Sequence, residues 1–235
     1  MNYIETKVKF NEKYSDIEIN DILNNYVTKD YKIIDYNEFL YDMKYLSIEE
    51  IKTLCIEFFE NKYFNLTEKV KKIIETIIFI NANDKIKEDG NTFYENGIIK
   101  CNIYIKNNLY DLFILVHEIT HYLTMIHPRK EEKKDEYLLF SEVLPFKLED
   151  ELINYLKEKE NINKDLNKCI NARKIILKNI VKKIYDKKDN LIENIEFEFR
   201  YIMAILYKNK IKIPVSEAIE NIAILNIKEI IDFSI

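Results

Sequence analysis

Glycine scarcity limits what this chain can fold into more than any other feature of its sequence. Only 2 of the 235 residues are glycine, against about 7% in an average protein. Sheet-rich folds with many tight turns are disfavoured, because those turns need glycine at positive φ. Gly90 and Gly97 also lack the spacing of a GxxxxGK(S/T) phosphate loop or a GxGxxG dinucleotide fingerprint. We therefore expect a mainly helical protein.

The charge balance argues against nucleic acid as a partner. Lys and Arg together number 36 and Asp and Glu 41, so the formal net charge is −5. Nucleic-acid-binding proteins present basic patches to phosphates, whereas both signs are interspersed here. The three cysteines have no CxxC spacing, which argues against a disulfide framework or a thiolate zinc site. Without a secretion signal or an apolar run that could span a bilayer, a cytoplasmic protein with no membrane segment is expected.

One predicted β-hairpin interrupts the helical periodicity. Asn96-Gly97 is a hairpin turn signal, and apolar and polar residues alternate over 99–105. We find no linker, repeat or domain boundary elsewhere. The expected organisation is a single domain with a helical N-terminal part over 1–83, the hairpin over 84–108 and further helices over 109–235.

Capping residues predict two helices before the hairpin. Ser47 and Glu50 form a capping box, which opens a helix that ends near Asn61. A similar start at Asn65 predicts a second helix that extends through Ile78.

After the hairpin, Asn107-Asn108 offers an N-cap for a helix that ends near His127, because Pro128 cannot continue it. A further helix is expected over 137–159, kinked or restarted at Pro145. From Asn163 onward three more helical segments follow, with breaks expected near 186–190 and 209–214.

The three histidines of the chain lie within eleven residues of one another. His117 and His121 form the pattern HExxH with Glu118 between them. On an α-helix residues i and i+4 share a face, so both imidazoles can reach one ion. Neutral imidazole suits Zn²⁺, and the glutamate can take a proton from a water bound to the metal. The motif therefore predicts a zinc site with Glu118 as the general base.

A catalytic zinc needs a third protein ligand, and two residues compete for that position. His127 has the metzincin offset from His121, but Thr124 stands where that motif needs a turning glycine. Glu142 lies among apolar residues, where an unpaired carboxylate is costly. It lies on the next predicted helix, and gluzincins take a carboxylate ligand from such a following helix. Glu142 is therefore the favoured third ligand. Weaker candidates are three glutamates in charged, apparently solvated stretches: Glu132, Glu136 and Glu149.

A family resemblance is carried by two segments, Asp111-Leu-Phe-Ile-Leu-Val-His-Glu-Ile-Thr-His-Tyr-Leu and Phe140-Ser-Glu-Val-Leu-Pro. They resemble the core of the oligoendopeptidase F and thimet oligopeptidase family, whose members are mainly helical zinc peptidases with a short sheet before the motif helix. The similarity covers about 95–210. It implies zinc ligands at His117, His121 and Glu142, a general base at Glu118 and an oxyanion donor at Tyr201.

Several functions share these ligands. The favoured interpretation is a Zn²⁺-dependent metallopeptidase that acts on a peptide or protein substrate laid along the strand over 98–106. One alternative is a non-catalytic zinc-binding relative that acts as an interaction protein. Another is an endopeptidase dedicated to one protein target, and the last is a helical interaction module in which HExxH is accidental. The oligomeric state is left open.

Overall fold

The structure of the chain is a computed structural model. It describes residues 27–28, 30–81, 89–126, 140–159, 162–186, 196–222, 225 and 227–232. No helix in these ranges is both long enough and apolar enough to cross a bilayer.

Helices dominate the fold, and they surround one small sheet. Short 3₁₀ turns at Tyr36–Phe39 and Phe64–Leu66 accompany them. The expected fold class is thereby confirmed as a mainly helical chain with a short sheet before the HExxH helix. In chain order the elements are α1 (Ile48–Lys62), α2 (Thr67–Ile74), β1 (Ile78–Asn81), β2 (Gly90–Glu95), β3 (Ile98–Ile105), α3 (Tyr110–Met125), α4 (Val143–Lys157), α5 (Asn163–Asp186), α6 (Glu196–Tyr207), α7 (Val215–Asn221) and α8 (Ile227–Ile230).

The first two helices differ in how well their bounds could be predicted. Helix α1 has the predicted capping box at Ser47 and Glu50. Helix α2 departs from the prediction at both ends, because Asn65 does not cap it and it ends at Ile74. The residues that follow, beginning at Ile78, form strand β1 instead. β-branched and aromatic side chains favour the extended backbone there once a neighbouring strand is available.

The hairpin forms as predicted. Asn96 and Gly97 have φ values of 53° and 80°, which is the left-handed region that a two-residue hairpin turn requires. In β3 the side chains of Cys101, Ile103 and Ile105 are buried, as the alternating pattern indicates.

The sheet order corrects one functional expectation. The strands lie in the order β1-β3-β2, with β1 parallel and β2 antiparallel to β3. Strand β3 is therefore central, with β2 paired along Ile98–Ile103 and β1 along Asn102–Ile105. For Asn102–Ile105 the expected pairing with a substrate peptide meets β1, which was not recognised as a strand and already pairs there. Among the described strands, β2 is the edge strand that faces the HExxH helix.

Helix α3 packs between the sheet and α4. Its start is fixed close to the predicted position, since Asn108 Oδ1 accepts the N–H of Tyr110 at 2.9 Å. The buried carboxylate of Asp111 accepts the backbone N–H groups of Lys106 and Asn108 at 3.0–3.2 Å. Helix α4 has Pro145 in its first turn, where the missing N–H costs no helical hydrogen bond. Pro145 thus lies at a restart, one of the two predicted outcomes.

The C-terminal part is helical, as predicted. Helices α5, α6 and α7 follow one another, with a non-helical stretch over 208–214 before α7. The residues of the other expected break, 187–190, lie outside the described ranges. Helix α6 packs against both α4 and α5. This packing places Tyr201 of α6 on the same cleft as His117 of α3. None of the three cysteines forms a disulfide, and all are buried.

Candidate metal centre

Two helices bring three ligand atoms to one point. Helix α3 presents His117 and His121 one turn apart, and their Nε2 atoms lie 3.1 Å from each other. Glu142 precedes the first turn of α4. Its Oε2 lies 3.2 Å from His117 Nε2 and 3.5 Å from His121 Nε2. Within the described parts of the chain, this group of His, Asp, Glu and Cys side chains has the spacing to hold a metal ion.

The spacing of these atoms fits zinc. In a tetrahedral site with bonds of about 2.0–2.1 Å, neighbouring ligand atoms lie about 3.3–3.4 Å apart. Glu142 is only 3% exposed. No donor in the described residues meets its Oε2 with hydrogen-bond geometry. A buried carboxylate oxygen in that position is costly unless a cation neutralises it, so the donor set and its burial both suit a divalent metal.

The electrostatics of the metal-free site also favour a positive charge between these residues. Burial opposes charge on His117, but the interactions with Glu142 and Glu149 outweigh it and raise the pKa of His117 well above its ordinary value. Burial would likewise raise the pKa of Glu142. The interactions with His121 and His117 instead hold the pKa of Glu142 well below its usual range. His117 therefore retains a proton at pH values above its ordinary pKa, and this positive charge lies where that of a metal ion would.

Glu149 is part of the centre, although its charged sequence surroundings predicted a solvated side chain. It is 6% exposed, and its Oε1 lies 2.5 Å from His117 Nδ1. Its Oε2 lies against Arg173 Nε on α5. A carboxylate on the second ring nitrogen sets the tautomer and orientation of a metal-binding imidazole. The seven-residue spacing from Glu142, two helical turns, is the sequence signal that could have identified it.

The other oxygen of Glu142 is approached from α6. Arg200 Nη1 lies 3.9 Å from Glu142 Oε1 and donates a hydrogen bond to Ser141 Oγ at 3.4 Å. The guanidinium therefore interacts with one carboxylate oxygen, while the opposite oxygen faces the two imidazoles. This arrangement orients the candidate ligand from the outside.

The predicted general base lies beside this group. Glu118 and His117 line a cleft of about 520 Å³, whose walls include Phe146 and Tyr201. Glu118 is 6% exposed. Its Oε2 accepts a hydrogen bond of 2.7 Å from the hydroxyl of Thr92 on strand β2. The carboxylate is thus held between the cleft and the sheet.

Tyr201 lies on the same cleft, as a hydroxyl donor toward a substrate would have to. Its ring packs edge-on against Phe146, with centroids 5.7 Å apart. Burial raises the pKa of Tyr201, and the nearby charges of Glu142 and Glu118 raise it further. The phenol therefore stays protonated at neutral pH and can donate a hydrogen bond.

The residues predicted for the site divide into three groups. His117, His121 and Glu142 come together as one group, and Glu118 and Tyr201 line the adjoining cleft. The rival ligand His127 and the weaker candidates Glu132 and Glu136 lie outside the described residues.

Comparisons of the chain with protein-family models, with curated protein sequences and with solved structures each found no match.

Proposed function

We propose that this protein is a zinc-dependent metallopeptidase of the gluzincin type with a zincin-like fold. The observation that carries the proposal is the convergence of His117 Nε2, His121 Nε2 and the buried Glu142 Oε2 at the spacing of tetrahedral zinc. Such a ligand set leaves one position open for water or substrate. A bound zinc would supply acidification of that water and polarisation of the scissile carbonyl.

The residues around the ligands have the chemistry that peptide hydrolysis needs. Glu118 would accept the proton of the attacking water and later deliver it to the leaving amine. Tyr201, protonated and on the same cleft, would donate a hydrogen bond to the carbonyl oxygen as it becomes negative. Glu149 would hold His117 with its Nε2 toward the ligand group.

The cleft has room for a peptide beside these groups. Its volume of about 520 Å³ is typical of ligand sites, and aromatic walls such as Phe146 alternate with charged groups such as Glu118. Strand β2 starts at this cleft with Gly90. An extended substrate would pair with β2 rather than with the central β3, because within the described residues β2 pairs with only one strand.

Hydrolysis of unstructured peptides by the zinc-loaded protein tests this function. A mixture of peptides, incubated with the protein and read by mass spectrometry, should yield new termini. Glu118→Gln keeps the size of the side chain but cannot accept the proton. We expect it to retain zinc and lose activity by about 10²–10⁴-fold.

The outcomes separate the related functions. Cleavage that is unaffected by Glu118→Gln would contradict the proposed mechanism. Retention of zinc with no cleavage of any peptide, or of any protein in a lysate, would assign a non-catalytic zinc-binding role instead. Cleavage of a single protein and of no generic peptide would identify a dedicated endopeptidase.

A further inference from the structure

Strand β2 packs directly against the side chain of Glu118. A Cβ atom at Gly90 would lie 2.8 Å from Glu118 Cγ, 2.8 Å from Ile114 Cγ2 and 3.1 Å from Glu118 Oε1. Real Cβ contacts are not that short, so any side chain at position 90 would displace Glu118 or the strand. One of the two glycines in the chain thus stands where the strand backbone meets this carboxylate.

Two residues further along the same strand, Thr92 turns its hydroxyl to Glu118. Thr92 Oγ1 lies 2.7 Å from Glu118 Oε2 and 3.2 Å from the backbone oxygen of Glu118. A hydroxyl has one proton to donate, and the shorter contact to the carboxylate is the stronger, charge-assisted one. Among the described side chains, Thr92 is the hydrogen-bond donor to the Glu118 carboxylate.

The strand that presents Thr92 is itself held at both ends. Asp89, just before β2, accepts hydrogen bonds from Tyr36 at 2.6 Å and Tyr110 at 3.2 Å and contacts Lys106 Nζ. Near the other end, the hydroxyl of Tyr94 contacts the backbone oxygen of Met125. Because both ends are tied to neighbouring elements, the hydroxyl of Thr92 has a defined position relative to α3.

We propose that Thr92 is a positioning residue that aligns Glu118 for proton transfer, and that Gly90 is required to leave room for the aligned carboxylate. The inference rests on the proposed role of Glu118 as general base. A carboxylate that is free to rotate samples many orientations, whereas proton transfer needs hydrogen-bond reach of the water. Thr92 is not among the residues that line the cleft, so its hydroxyl acts on the reaction through Glu118.

Thr92→Val and Thr92→Ser separate this role from packing. Valine keeps the shape of threonine and removes the hydroxyl, while serine keeps the hydroxyl. We expect Thr92→Val to lower kcat by about 10–100-fold with little change in KM, the size of one charge-assisted hydrogen bond. Thr92→Ser should restore most of the wild-type rate, and Gly90→Ala should lower kcat as Thr92→Val does. Zinc content should be unchanged in all three.

A binding measurement supplies a readout that does not depend on turnover. Acetohydroxamic acid gives its acidic proton to a neighbouring carboxylate when it chelates zinc, so its affinity reports the alignment of Glu118. Calorimetry on the zinc-loaded proteins should show weaker binding to Thr92→Val and Gly90→Ala, and near wild-type binding to Thr92→Ser.

Each result decides between the claims. Equal kcat and equal hydroxamate affinity in wild type and Thr92→Val would overturn the positioning role. Loss of zinc or of the folded state in Thr92→Val would also overturn it, since the hydroxyl would then be structural. If the wild-type protein binds zinc but cleaves nothing, the proposed function fails, while the hydroxamate series still decides whether Thr92 aligns Glu118.

Discussion

At the scale of single residues, the candidate centre depends on carboxylates that the chain buries at a cost. Glu142 and Glu149 are both nearly inaccessible, and burial alone would keep such groups neutral. His117 lies between them and interacts with one through each ring nitrogen. Arg173 on the far side of Glu149 supplies the compensating charge. Arg200 approaches the outer oxygen of Glu142 at 3.9 Å, and a cation or a proton between the carboxylates would stabilise them further.

Removing the charge behind His117 should weaken metal binding. Glu149→Gln leaves the side chain in place but no longer stabilises the required tautomer of His117. We expect zinc affinity, measured by competition with a chromophoric chelator, to fall by about 10–100-fold. Glu158→Gln, at the exposed end of the same helix, is the matched control and should have no effect. An unchanged affinity in Glu149→Gln would show that the contact is incidental.

Tyr201 can be tested by removing only its hydroxyl. Tyr201→Phe keeps the ring packed on Phe146 and removes the hydroxyl that we propose as the donor to the developing oxyanion. We expect kcat to fall by about 10²–10³-fold, with KM and zinc content unchanged. Tyr41→Phe, at a tyrosine that is 69% exposed, serves as the control. A wild-type kcat in Tyr201→Phe would move the oxyanion donor to another group.

The site residues that could be predicted from the sequence are those with a recognisable spacing or an unusual local environment. His117, Glu118 and His121 are fixed by the helical period, and Glu142 stands out as an acid among apolar neighbours. Thr92 was missed and Glu149 was only a weak ligand candidate, because their roles are contacts between separate elements. Nothing local distinguishes Thr92 from any strand threonine, and Glu149 stands among other charged residues.

At the scale of elements, helix α3 holds the two histidines and the base, and its N-terminal end is buried with polar support. Asp111 accepts two backbone N–H groups that would otherwise be unpaired. Burial raises the pKa of Asp111 despite these hydrogen bonds, which indicates how far the carboxylate lies from water. Asp111 therefore helps to fix the start of α3 against the end of β3.

Asp111→Ala should loosen this helix. Leaving a buried N–H without an acceptor costs about 1–3 kcal/mol in the free energy of unfolding, and we expect zinc affinity to fall as well. Ser47→Ala is the matched control, because it removes the cap of α1 at a cost of about 1 kcal/mol without touching the centre. Urea unfolding and zinc titration of both variants provide the comparison. Equal zinc affinity in Asp111→Ala and wild type would mean that α3 is held by its packing alone.

The elements that could not be predicted are those decided by long-range pairing. Strand β1 contains Ile78, which continues the helical spacing of α2 and therefore looked like part of that helix. Its extended state depends on pairing with Asn102 and the residues that follow in β3, which is distant in sequence. Capping and turn residues act locally, so the start of α1 and the hairpin turn at Gly97 were predicted correctly.

At the scale of the whole molecule, metal binding and stability are linked, because the centre joins α3, α4, α5 and α6. A ligand that binds only the folded state stabilises it by mass action. Zinc should therefore raise the urea midpoint of unfolding. Without zinc, the positive charge of protonated His117 supplies part of the same stabilisation of the buried carboxylates. The two forms of the protein are consequently expected to respond differently to pH.

The metal-free protein should lose stability as pH rises above neutral. The pKa of His117 is raised in the folded state above its ordinary value of 6.5. Its contribution is therefore complete below about pH 6.5 and is lost as pH rises through the folded pKa. Above that pKa, Glu142 and Glu149 are left buried and charged without a proton between them. Their own lowered pKa values make the opposite contribution, which is lost only as pH falls through those values in acid.

Urea midpoints measured with a chelator from pH 6 upward test this linkage. The midpoint of the metal-free protein should fall, while the zinc-loaded protein should hold its midpoint because zinc replaces the proton. Metal-free His117→Gln lacks the titrating ring. The change of its urea midpoint with pH therefore measures what all the other titrating groups contribute. A midpoint in the metal-free wild type that falls no more than in His117→Gln would contradict the electrostatic account.

The most direct test of the three-ligand zinc site is metal content by elemental analysis. Wild type, His121→Ala and Glu142→Ala would be purified without a metal-affinity tag. We predict about one zinc per chain in the wild type and loss of zinc in both variants, because a site with one open position depends on all three protein ligands. Zinc retained by Glu142→Ala, or no zinc in the wild type after soaking, would contradict the account.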